Sequence, residues 1–143
     1  MNEHPLDFHP TQCKNFAAAY MQAARAERQA SAAKMQFDTA DRKHDTAIKH
    51  TCLAYRRFQA ATKHYDLRRF KFSETVQKAT ARKRFFAAIR LHRLLSRKSD
   101  RLARLAIAEL NKFIAARELA RHLSKHVDIA FQTVFSGNKA RLL

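Results

Sequence analysis

The sequence predicts an all-α fold, an elongated antiparallel bundle of three or four helices with a long C-terminal helix, kinked or straight. Three observations point there. The stretch from Thr11 to Ser136 holds no glycine and no proline, so the residues that break helices and build tight hairpins are missing. Alanine, the residue least costly to place in a helix, is spread along it. Apolar residues return every three or four positions, the period of a helix face, and no segment shows the alternation of a strand. At 143 residues the chain reads as one domain, 1–143, with an extended arm at 1–10 and a short basic tail at 137–143.

The elements follow in order. Both prolines lie in residues 1–10, and Pro10 suits the first turn of a helix, with Thr11 as an alternative cap. Cys13, Phe16, Ala17, Tyr20, Met21 and Ala24 then form an apolar stripe. A break is expected at Phe37–Asp41, where Asp38 can cap a new helix and Asp41 adds negative charge to its first turn. Asp38-Thr-Ala is echoed at Asp45-Thr-Ala, seven residues on, but two copies do not establish a coiled coil. The second helix presents Ile48, Cys52, Tyr55, Phe58 and Thr62 inward and ends near Arg69. Ser73 is the expected cap of the next.

Beyond Ser73, Ala81, Phe85, Ala88, Ile89, Leu91, Leu95 and Leu102 share one arc at 100° per residue. Ser96 to Asp100 resembles a third break, since Ser99 or Asp100 can cap. The apolar phase nonetheless carries through it to Ala106, Leu110, Phe113, Ala120, Val127 and Phe131. One helix over 73–135 and a kinked pair both fit. Gly137, the only glycine, is the expected C-terminal cap, followed by Lys139 and Arg141.

Charge dominates the functional reading. Lys plus Arg number 29 against 12 Asp plus Glu, a formal net charge of +17. Such self-repulsion points to an anionic partner, nucleic acid before acidic protein or anionic lipid. Between Arg68 and Arg104 lie thirteen basic residues and two acidic ones, Glu74 and Asp100. Within that run Arg90, Arg93, Arg97, Arg101 and Arg104 fall on the arc opposite the apolar one, a row about 21 Å long on a helix. Arg82, Lys83 and Lys98 join them as candidate nucleic-acid contacts, and Arg68, Arg69, Lys71 and Lys78 lead in. Phe86 lies in the same arc, where a ring can stack on a base or join a helix contact. Like charges at these spacings destabilise a helix by a few tenths of a kcal/mol per pair, a cost that solvation alone gives no reason to accept. The stripe carries almost no asparagine or glutamine, which suits phosphate contact rather than base reading.

The expected function is therefore a small, non-catalytic, nucleic-acid-binding protein for DNA or RNA, with little sequence specificity and a regulatory or accessory role. The alternative is a protein-interaction module, an inhibitor or adaptor of the kind a phage or plasmid encodes, docking an acidic protein surface. Membrane binding is disfavoured, because the amphipathic arc's large residues are better used in a core. Wide apolar arcs leave room for a homodimer. The longest uninterrupted apolar run is Phe16 to Met21 and no export pattern opens the chain, so a cytoplasmic or nucleoid-associated protein is expected. Cys13 and Cys52 read as reduced, buried thiols.

Catalysis is not expected. The sequence has no glycine-rich phosphate loop, nucleophile elbow or Cys-x-x-Cys, and no clustered carboxylate pair for two metals. No cofactor is implied. His122 and His126, with Glu118 four residues before, share a helix face suited to zinc, but without a third ligand surface histidines are the better reading and no metal is assigned. His92 reads as a core histidine. Glu109, on the apolar arc, calls for a basic partner on a facing helix.

Overall fold

The computed structural model describes residues 9–71 and 75–141, with the side chains of 9–66 and 79–136. The chain is all-α, as expected. It forms two long helices, α1 (Pro10–Lys71, 62 residues) and α2 (Thr75–Arg141, 67 residues), and no strand among the described residues. The arm at residues 1–8 and the cap proposed at Ser73 lie outside the described residues.

The helix count is where the structure departs from the sequence reading. α1 runs unbroken through Phe37–Asp41, and α2 runs unbroken through Ser96–Asp100. Asp and Ser inside a helix cost only about 0.5 kcal/mol each relative to alanine. That is too little to end a helix whose buried face continues on both sides. Gly137 does not terminate α2 either: the helix continues to Arg141, and no glycine has a positive φ. The N-terminus of α1 matches expectation. Pro10 occupies the first helical position, and the His9 carbonyl accepts hydrogen bonds from the Gln12 and Cys13 N–H groups at 3.0 and 3.2 Å.

Tertiary contacts divide the chain into two compact units, one of Met1–Gln36 with Glu109–Leu143 and the other of Phe37–Ala108. In the first, the shielded positions of α1 alternate by three and four residues: Phe16, Ala19, Ala23, Ala26, Ala30 and Ala33. The facing positions of α2 do the same, from Glu109 and Phe113 through Ala116, Ala120, Leu123, Val127 and Ala130 to Val134. That period of 3.5 defines a coiled-coil seam. The segments are antiparallel, since Phe16 meets Phe131 (ring centroids 5.9 Å apart) while Ala26 and Ala30 pack with Ala120.

In the second unit the same period runs through Phe37, Ala40, His44, Ala47, Thr51, Ala54, Phe58, Ala61 and Tyr65 on α1. It faces Ala81, Phe85, Ala88, His92, Leu95, Ser99, Leu102 and Ala106 on α2. Ring contacts again fix an antiparallel pairing: Tyr65 with Phe85 at 5.3 Å, Phe58 with Phe85 at 5.8 Å, and Tyr55 with His92 at 5.4 Å. His92 is thus the shielded histidine the sequence suggests, stacked on Phe58. Thr51 tolerates the seam because its hydroxyl donates to the Ala47 carbonyl at 2.8 Å.

The seam is small-residue packing. Every buried apolar residue except Val134 is an alanine, and no large side chain is fully enclosed among the described residues. Alanines let two helices approach closely, but each removes little apolar surface from water. Of the larger residues expected inside α1, Phe16 and Phe58 hold seam positions, while the others lie beside the seam. Tyr20 is 58% and Met21 65% exposed, and Tyr55, Ile48 and Cys52 are also exposed. On α2 the expected arc holds, although Leu91 and Phe131 remain exposed.

Candidate nucleic-acid interface

The seam positions the stripe. With Ala88, His92, Leu95, Ser99 and Leu102 turned inward, Lys83, Arg90, Arg97 and Arg104 recur every seven residues on the side of α2 farthest from α1. Arg93 and Arg101 fall to either side of that row. All of these, with Arg82 and Lys98, are exposed and belong to the second unit. Arg68, Arg69, Lys71 and Lys78 lie outside the described side chains.

Among the described residues the basic side chains of the stripe form no ion pair. The ion pair found among the described residues joins Lys112 to Glu109 at 2.8 Å, outside the stripe. Arg82 is placed over the Phe86 ring with its guanidinium carbon 5.6 Å from the centroid, a cation–π contact at one edge of the row. Arg82, Lys83 and Arg90 line an open groove with Tyr65 and Phe86. Lys98 lies at the opposite edge of α2, in a second groove of about 460 Å³ that it shares with Arg42, Lys43 and His50 of α1 over Leu95 and Leu102. The structure therefore splits the predicted set between two edges of one helix, with the arginine row between them.

The contribution of α1 escaped the sequence reading. Arg42, Lys43 and His50 were legible only through their seven-residue recurrence, which becomes visible once the alanine seam is counted as a face.

Other candidate groups resolve as follows. The Nε2 atoms of His122 and His126 lie 2.9 Å apart on an exposed face, a separation at which one imidazole donates to the other. Asp41, His44 and Asp45 place their ligand atoms within 4.8 Å of one another, with His44 at the seam and the carboxylates exposed. Glu109 is paired along its own helix with Lys112, and its second carboxylate oxygen is buried with no hydrogen-bond partner. Cys13 is half-buried and Cys52 exposed, so the expectation of two buried thiols is corrected; both are free. No helix among the described residues is long and apolar enough to cross a membrane.

No known protein family, curated protein or solved structure matches the chain. Function must therefore be argued from the surface itself.

Proposed function

We propose that this is a non-catalytic nucleic-acid-binding protein that grips the phosphate backbone through the arginine row of α2, in an accessory or regulatory role. One observation carries the reading. Arg90, Arg93, Arg97, Arg101 and Arg104 stand exposed on a helix held by its opposite face, with no carboxylate in ion-pair contact among the described residues. A rigid row of forked donors suits phosphate oxygens, each accepting charge-assisted hydrogen bonds. The absence of amide side chains from the row favours affinity without base discrimination.

The test is titration against DNA and RNA over a salt series. Five phosphate contacts give a slope of log K against log[salt] of about −4 to −5 on duplex DNA. Reversing charge at Arg93, Arg97 and Arg101 with glutamate should abolish binding while helical ellipticity is retained, because these side chains do not touch the seam. Unchanged affinity in that variant would remove the stripe as the site. Purification with a stoichiometric protein partner that survives nuclease, and no affinity for nucleic acid, would favour an acidic protein surface instead.

A further inference from the structure

The row on α2 is not the whole charge of the second unit. On α1, basic doublets recur every seven residues, from Arg42-Lys43 through Lys49-His50 and Arg56-Arg57 to Lys63-His64, all exposed. With Ala47, Ala54 and Ala61 in the seam, the first member of each doublet lies opposite it and the second lies at its edge. The doublets therefore stack as two adjoining rows that advance about 10.5 Å per repeat. Arg84 and Lys98 occupy the corresponding edge of α2, and the groove shared by Arg42, Lys43, His50 and Lys98 puts the two helices' edges on one flank.

The described acidic residues are kept from the edge row: Lys43, His50, Arg57 and His64 have none three or four residues away. Asp38, Asp41, Asp45 and Asp66 on α1, and Asp100 on α2, all fall toward the other edge of the seam. The exposed rings Tyr55 and Phe86 are on that side too. Among the described side chains the cationic flank thus carries no phenylalanine or tyrosine on which an unpaired base can stack, the feature that single-strand binding relies on. Among the described side chains it also carries no asparagine or glutamine for reading base edges. What remains is phosphate recognition along a line. From Arg42 to Lys63 the row spans about 32 Å, close to the ~34 Å of one duplex turn.

We infer that the occupant of this flank is a nucleic-acid duplex, held by phosphate contacts from α1 and α2 at once. The inference rests on the nucleic-acid reading above and makes the α1 doublets half of the site. The shared chemistry is the duplex phosphate backbone, which DNA and RNA both supply.

The experiment is fluorescence-anisotropy titration of the full chain with a two-turn DNA duplex, an RNA duplex of equal length and a mixed-sequence single strand, over a salt series. At least one duplex should bind more than about tenfold tighter than the single strand. Replacing Arg42, Lys43, Arg56 and Arg57 together with glutamine should make the salt slope shallower by about 3 to 4, and weaken duplex binding about a hundredfold or more at low salt. The matched variant with lysine at Arg42, Arg56 and Arg57 should keep the slope within about one of the parent, and its retained helicity shows that these exposed positions tolerate change. An unchanged slope in the glutamine variant, while charge reversal on α2 still abolishes binding, overturns the two-helix site alone. Tighter binding of the single strand than of either duplex overturns the duplex assignment. Failure of the parent to bind any of the three overturns the nucleic-acid reading itself.

Discussion

Replacing Glu109 with leucine should stabilise the protein. Glu109 occupies a seam position of the first unit; its side chain is only 22% exposed, and its Oε2 is buried without a hydrogen-bond partner. Removing an unsatisfied buried oxygen recovers about 1 kcal/mol, the low end of the range because the group is not fully enclosed. Leucine in its place, about three-quarters buried, adds about 1–2 kcal/mol. Against this, the substitution removes the ion pair with Lys112, whose side chain is itself 66% exposed. Solvent screening leaves that pair worth about 0.3 kcal/mol. The balance is a gain of about 2 kcal/mol, or roughly 6–8 °C in Tm for a chain of this size. Thermal denaturation followed by helical ellipticity measures it, with Glu109→Gln as the control that keeps a polar group in the seam and should bring no gain. A Tm for Glu109→Leu equal to or below that of the parent would refute the reasoning. It would mean that the carboxylate is satisfied in solution, by a second copy of the chain or another group.

Further outcomes separate the two-helix arrangement from the bundle of shorter helices. Asp38→Ala would cost about 0.5–2 kcal/mol if Asp38 capped a helix, but inside α1 it should be neutral or stabilising by a few tenths. Urea denaturation distinguishes the two by sign. Ala26→Leu, at a position only 3% exposed and packed among Ala30 and Ala120, should overfill the seam and cost about 1–3 kcal/mol. A neutral result would mean that the helices are not closely packed there. Cys52 should react with a maleimide promptly in the native protein and Cys13 more slowly, since only the former is exposed. Equal rates, read by mass spectrometry of the labelled peptides, would contradict that difference.

The helical class was legible because it depends on what the chain lacks. With no glycine or proline between Thr11 and Ser136, the backbone has little to compete with the α conformation. The stripe was legible for a related reason, since Arg90 to Arg104 repeat at helical spacing whatever the helix packs against. The number of helices was not legible. Asp38, Ser99 and Asp100 are capping residues by type, and a capping residue terminates a helix only when the packing beyond it has nothing to bury. The seam of α1 was read only at Phe16 and Phe58, because alanine contributes little to a hydrophobic face, while Tyr20, Met21, Ile48 and Tyr55 beside it contribute much. Counting at 100° per residue also drifts about 20° per heptad from a 3.5 repeat, so a face followed over many turns rotates off its true line.

The same distinction governs the candidate site. The sequence by itself determines that the chain is helical, that it carries a net charge of +17, and that five arginines share one face of α2. These are properties of a single helix, set by backbone geometry and local spacing. Only the tertiary structure decides which line of α1 is inside, and hence that the doublets from Arg42-Lys43 to Lys63-His64 face solvent with Arg42, Lys43 and His50 beside Lys98 in one groove. The physical reason is that small side chains specify a seam through the close approach of two backbones. That approach is a relation between helices and has no signature in the hydrophobicity of either one alone.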